Sequence, residues 1–318
     1  ANIGRAAVIP AIKASSNGKL IAVASRDAEK ASKFANDNQI PQSYGSYEAL
    51  LADDQIDAIY IPLPNSMHHQ WVIAAANAGK HVLCEKPLAL NEKECIEMDS
   101  AAQVNHTKLM EAFMYRFHPQ TGKVIQLIRD NAIGELKSIH SVFTFHVKNK
   151  NNIRYDSELG GGSLMDVGCY CVNIIRTLAE KEPVEVQAAV NWADTGVDKS
   201  ITGIIKFESG LIASFSSSLA IERNEFYYAA GSGGVIKVEH SFLPGKDDTQ
   251  ILLSGPKSGE TSFSFSGVDQ YQLMVEHFAD CIIDDLPLRY PALEAAKNMK
   301  VIDALYNSAR NHGERIKL

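Results

Sequence analysis

The chain is 318 residues long, 45% hydrophobic and 22% charged, the make-up of a globular protein with room for two domains and a sizeable core. Its net charge of −7, with no block dense in lysine and arginine and no apolar run long enough to cross a bilayer, argues against nucleic-acid and membrane partners. Five cysteines (Cys84, Cys95, Cys169, Cys171, Cys281) are an odd number without paired metal spacing, so a cytoplasmic protein with neither a disulfide framework nor a metal site is expected.

The opening ANIGRAAVIPAI reads as the first turns of a helix over residues 4–12, with no strand before it. A dinucleotide fold needs a strand, a glycine turn and a helix whose N-terminal amides hold the pyrophosphate. Only the tail of that fingerprint is present, with Ala1 near its second glycine position and Gly4 at its third. Ala1, Asn2, Ile3 and Gly4 are therefore read as cofactor-binding. The first strand is expected to lie ahead of this sequence, because a sheet lacking it leaves its neighbours short of ladder hydrogen bonds.

Residues 20–24 (LIAVA) follow as a buried strand and residues 27–36 as a polar helix. Between them stand Ser25 and Arg26, where NAD-binding folds usually carry an acid for the ribose 2′-hydroxyl. A hydroxyl and a guanidinium suit a phosphate dianion instead, so NADP is preferred to NAD; a solvated arginine is the plain alternative. A short piece near Tyr44 and a helix from Ser46 lead to a strand over 57–61 and a helix over 67–78. Two prolines stiffen the connection IPLPNSMH, and Asn65 or Ser66 can cap the helix. Pro62, Leu63, Asn65 and His68 are placed beside the cofactor. A strand over 81–84, a helix over 91–104 and a strand over 109–113 complete an α/β, Rossmann-like, doubly wound parallel sheet.

After residue 134 the rhythm changes. Residues 135–147, 184–192, 201–207, 211–218, 226–230 and 235–240 read as successive strands, some separated by glycine turns. One helix over 163–180 interrupts them, and two more, over 269–284 and 291–308, close the chain. This half reads as an α+β domain on one large, mostly antiparallel sheet.

Residues 79–90, GKHVLCEKPLAL, end an apolar strand in Glu85-Lys86-Pro87. Strand ends at the carboxyl edge of a parallel sheet are where α/β proteins place ligands; a solvated turn is the bland alternative. Further along stand EAFMYRFHP at residues 111–119 and GGGSLMDVGCY at residues 160–170. These three motifs, in this order, resemble the glucose-fructose oxidoreductase/inositol dehydrogenase (Gfo/Idh/MocA) family. The branch they resemble holds dihydrodiol dehydrogenases, NADP-dependent xylose dehydrogenases and anhydrofructose reductases, and the likeness runs over essentially the whole chain.

The resemblance implies a dinucleotide-binding domain at residues 1–118 and a substrate and oligomerisation domain at 119–318, with a C-terminal helix that packs back on the first. It implies a homodimer through the open sheet and a cis peptide before Pro87. It also implies hydride transfer between NADP and a cyclic sugar, polyol or vicinal diol. Lys86, Asp166 and Tyr170 take the family's substrate-pocket roles, Tyr170 standing where inositol dehydrogenases have histidine.

The protein's part in such chemistry is to hold the reacting carbon and move a proton on the neighbouring oxygen. A phenol near an ammonium is expected to have its pKa drawn down toward working pH, so Tyr170 and Lys86 form the proton-transfer pair. Asp166 and Tyr170, four apart, share one helix face. The three glycines are expected to let the helix start approach a ligand. A helix-terminal carboxylate and a core tyrosine are the structural alternatives for Asp166 and Tyr170. Glu85 and Arg116 are placed at the cofactor together with Lys86, pairing with a surface base being the alternative for Glu85. Arg116 and His118 can contact substrate or the cofactor ribose, a helix cap before Pro119 being the preferred reading of His118. Residues 148–159 and 219–230 are expected to set specificity. Two other readings keep the fold: a dinucleotide-binding sensor without turnover, and a sugar–sugar oxidoreductase holding NADP tightly.

Overall fold

The computed structural model describes residues 3–256 and 259–318, so the expected cofactor contacts at Ala1 and Asn2 lie outside the described residues. Gly4–Val8 winds as π-helical turns into α1 (Ile9–Ala14), with Pro10 in the first turn, where a missing N–H costs no hydrogen bond. There follow β1 (Ala22–Ala24), α2 (Ala28–Asp37), β2 (Gln42–Tyr44), α3 (Tyr47–Leu51) and β3 (Ala58–Ile61). Then come α4 (His68–Asn77), β4 (His81–Cys84), α5 (Glu92–Val104) and β5 (Leu109–Glu111). Asp27, Ser46 and Asn91 cap α2, α3 and α5, each side chain accepting from the N–H three residues on.

All ladders of this half are parallel, but they form two pieces, β1-β2 and β3-β4-β5. Between the pieces lies a cavity of about 550 Å³ bordered by Ala22, Val23, Ile59, Tyr60, Trp71 and Phe278.

The second half adds α6 (Pro119–Arg129), β6 (Leu136–Thr144), π-helical turns at Leu164–Gly168 and α7 (Cys169–Ala179). It continues with β7 (Glu185–Trp192), β8 (Asp198–Lys206), β9 (Ile212–Ser218), β10 (Asn224–Gly231), β11 (Gly234–Glu239), β12 (Thr249–Gly255) and β13 (Gly259–Phe265). It closes with α8 (Gln270–Ile283), α9 (Ala292–Arg310) and β14 (Ile316–Lys317). Among the described residues the strands make one sheet in the order β13-β12-β11-β10-β6-β9-β8-β7-β14, antiparallel except where β6 meets β9. Strands β12, β13 and β14 had no counterpart in the sequence reading.

Alternation decides the two faces. Ile201, Ile205, Ala213, Phe215, Tyr227, Ile236 and Ile251 point inward and are buried. Each large apolar side chain contributes about 1.5–3 kcal/mol of burial. Ile204 and Ile212 point outward and stay 42% and 50% exposed. Helix α9 also reaches the first half, where Glu92 N donates to Asp303 Oδ2 at 3.0 Å.

Candidate active site

The turn after β4 carries the cis Lys86–Pro87 peptide. Three groups fix it. Leu88 N donates to Glu111 Oε1 at 2.8 Å, and Tyr60 OH donates to Glu85 Oε1 at 2.5 Å. The His68 ring sits between Pro87 O (3.0 Å from Nδ1) and Leu63 O (2.9 Å from Nε2).

From this turn Lys86 reaches across to the helix start of the second half. Its Nζ donates to Asp166 O at 2.7 Å, lies 3.5 Å from Asp166 Oδ1, and stands 4.9 Å from the centroid of the Tyr170 ring. Arg154 Nε donates to Asp166 Oδ2 at 2.5 Å. The three expected residues therefore meet, and Arg154 joins them. Burial alone would raise the Asp166 carboxyl, but the Lys86 and Arg154 charges hold it below the ordinary range. Burial alone would lower the Lys86 ammonium, and the Asp166 charge overrides it, so Lys86 stays above an ordinary lysine.

Tyr170 departs from expectation in one respect. Its hydroxyl points at Met114 Sδ, 3.6 Å away, and its ring packs edge-on against Phe113 and Phe143. Burial pushes the phenol well above its ordinary pKa, and Tyr271 and Glu85 add to the rise. Lys86 lies over the ring face rather than at the hydroxyl, so its charge does not offset the loss of water. The phenol is a neutral proton donor.

The glycine run also has a different reason from the one expected. A Cβ on Gly160 would collide with Leu90, on Gly161 with the Arg154 carbonyl, and on Gly162 with Asp198. Protein fills the space that a ligand was expected to approach. Asp198 is wholly buried and accepts from Ser163 Oγ (2.6 Å), Leu164 N (2.7 Å) and Tyr306 OH (2.6 Å). It caps from a distant strand the helix start that carries Asp166. That start is π-helical, so Asp166 and Tyr170 converge through Lys86 rather than through a regular helix face.

The expected cofactor residues divide. Gly4, Ser25, Pro62 and Leu63 border the 550 Å³ cavity, and Ile3 is 36% exposed nearby in sequence. Arg26 is exposed with no hydrogen-bond or ionic partner among the described residues. Asp27, the acid that directly follows Arg26, accepts from the N–H of Lys30 at 3.0 Å. Asn65 does not cap a helix; its Nδ2 donates to Gly160 O at 2.8 Å. His68 is fully buried with both ring nitrogens on carbonyls, which makes it a clamp on the Lys86 turn rather than a cofactor contact. Glu85 is half-buried, its carboxyl raised in pKa by desolvation and held by Tyr60. Arg116 stacks 3.5 Å over Tyr290, so its guanidinium is committed away from Lys86. His118 caps α6, accepting from Gln120 N at 3.2 Å.

Sequence reasoning missed Arg154, Glu111, Asp198, Tyr60 and Met114 as site-building residues. A lone arginine in a loop or an acid at a strand end carries no periodic signal. Among the described residues, no group of three His, Cys, Asp or Glu could hold a metal, and no helix is long and apolar enough to cross a membrane. All five cysteines are buried and unpaired.

Residues 1–113 match the model of an oxidoreductase family with an NAD-binding Rossmann fold (GFO_IDH_MocA), and residues 122–237 match that of the GFO/IDH/MocA C-terminal domain. The chain belongs to this family of oxidoreductases. It is 38% identical to D-xylose 1-dehydrogenase (NADP(+)) 2 of Haloferax volcanii, covering 97% of this chain and 95% of that one. It is 34% identical to trans-1,2-dihydrobenzene-1,2-diol dehydrogenase of Xenopus laevis, over 84% and 82% of the two chains. Among solved structures it resembles aldose-aldose oxidoreductase from Caulobacter crescentus with a TM-score of 0.91 at 26% identity, covering 100% of this chain and 97% of that one.

Proposed function

We propose that the protein is an NADP(H)-dependent oxidoreductase that moves hydride between the nicotinamide and a C–OH or C=O group of a cyclic sugar, polyol or vicinal diol. The observation that carries this reading is Lys86, at the carboxyl edge of the parallel sheet, in reach of both Asp166 and Tyr170. The relatives named as D-xylose and trans-1,2-dihydrobenzene-1,2-diol dehydrogenases support the substrate class. The free Arg26 and the occupied Asp27 support a 2′-phosphorylated dinucleotide. Bound NADP supplies the hydride acceptor, and NADPH the donor.

The rest falls to this chain's own groups. Met114 sulfur is a weak acceptor, so the Tyr170 hydroxyl loses little on turning to a substrate oxygen. In reduction the neutral phenol gives its proton to the developing alkoxide and becomes phenolate; oxidation is the reverse step, the phenolate taking the proton from the substrate hydroxyl. Lys86 stabilises charge on that oxygen, and Asp166 keeps the ammonium aimed and protonated. Buried aromatic rings around Tyr170 exclude water from the proton path. Tyr170→Phe is the test: turnover should fall by roughly 10²- to 10⁴-fold with NADPH affinity unchanged. Full activity in that variant would remove Tyr170 from the proton step.

We further infer a homodimer that covers the open face of the large sheet. Ile204 and Ile212, outward on adjacent strands, are large apolar side chains left exposed, of the kind that interfaces bury.

A further inference from the structure

We propose that Arg154 is a substrate-binding residue that holds the oxygen next to the reacting carbon, so that the enzyme selects substrates with two vicinal oxygens. The proposal rests on the oxidoreductase reading and specifies its substrate class. Arg154 uses one N–H on Asp166 Oδ2 at 2.5 Å and sets Nη1 at 3.4 Å from Asn152 Oδ1, a contact of marginal length. Its Nη2 has no acceptor among the described residues, and the side chain is 36% exposed. The guanidinium lies over the Phe145 ring, 5.3 Å from its centroid, which fixes its plane. Exposure rises outward from Lys86 at 14% through Asp166 at 17% to Arg154, so the free donors stand at the mouth of the site.

The backbone there is built for the purpose of holding position. Gly162 N donates to Arg154 O at 2.9 Å, and a side chain on Gly161 would strike that carbonyl. The glycine run thus seats Arg154 against the helix start that carries Asp166. One carboxylate, that of Asp166, joins the two cations, so Lys86 and the Arg154 fork are neighbours in the site. With the reacting oxygen on Lys86 and Tyr170, the adjacent oxygen falls to Arg154, whose fork donates without ever accepting. In oxidation the C–H hydride reduces NADP⁺ to NADPH, the O–H proton passes to the Tyr170 phenolate, and the neighbouring hydroxyl is unchanged.

The test compares matched substrates with and without the second oxygen: D-xylose against its 2-deoxy counterpart, and cyclohexane-1,2-diol against cyclohexanol, each with NADP⁺. Wild type should favour the vicinal member of a pair. Arg154→Ala, which also removes a partner of Asp166, should lower kcat/KM on both members, but on the vicinal member by roughly 10- to 100-fold more, the worth of one charged hydrogen bond. Arg154→Lys, which keeps the charge but not the fork, should fall between. An equal loss on both members, or no loss on either, overturns the proposal. Should wild type bind NADPH yet turn over neither member, the hydride-transfer reading fails separately. Saturation-transfer NMR of cyclohexane-1,2-diol on the NADPH complex then decides the role of Arg154. Binding lost in Arg154→Ala upholds the role, and binding that is unchanged, or absent from wild type, overturns it.

Discussion

Replacing Glu111 by glutamine should make the protein's stability less dependent on pH. Glu111 ends β5, is 7% exposed, and accepts from Leu88 N beside the cis Lys86–Pro87 turn. Burial raises its carboxyl from the ordinary 4.5 to about 7, against the pull of the Leu88 N–H and of the Arg116, Arg176 and Lys86 charges. Below pH 4.5 the group is neutral in both folded and unfolded chains, and its contribution is fully present. As pH rises from 4.5 toward 7 the unfolded chain releases the proton and the folded chain keeps it, so stability is lost. A shift of this size amounts to about 3 kcal/mol in full, and to about 2 kcal/mol between pH 5 and pH 7.5. Glutamine keeps an acceptor for Leu88 N and does not titrate. Urea denaturation of both proteins at pH 5, 6, 7 and 7.5 should show the wild type losing about 2 kcal/mol relative to Glu111→Gln. A difference that stays constant across that range refutes the reasoning and returns Glu111 to an ordinary carboxylate.

Arg26→Ala should weaken NADPH by roughly 10- to 100-fold in a fluorescence titration and barely change NADH; equal losses would refute the 2′-phosphate contact. Asp198→Ala leaves buried Leu164 N and Tyr306 OH without their acceptor and should cost about 2–5 kcal/mol in denaturation. Asp198→Asn can keep an oxygen on Ser163 and Leu164 and turn its amide to Tyr306, so it should cost about 1 kcal/mol; comparable losses would mean that charge, not geometry, holds the helix start. Ile212→Lys on the open sheet face should shift sedimentation from dimer to monomer, and an unchanged dimer would place the interface elsewhere.

What could be read from the sequence follows from how local the cause is. Strand β4 begins and ends where its apolar run does, because Glu-Lys-Pro cannot continue a ladder. Helices α2, α3 and α5 start where a side chain three residues ahead can accept an amide. Strand β13 was not legible, since a half-exposed edge strand rich in serine, threonine and glycine shows no apolar alternation, and β12 between it and β11 offers only the short run Ile251-Leu252-Leu253. The site behaves the same way. Lys86, Asp166 and Tyr170 lie in motifs and were found; their environment comes from distant segments and was not. A phenol beside an ammonium reads as an acidified phenol until Phe113, Phe143 and Phe242 close over it and burial wins. Three glycines read as room for a ligand until Leu90, Arg154 and Asp198 occupy that room. In each case the sequence pattern located the constraint and the tertiary packing determined its sign. That is why Arg154, which no motif marks, carries the proposed specificity: its backbone is seated by the glycines that were noticed, and its side chain reaches the carboxylate that was noticed.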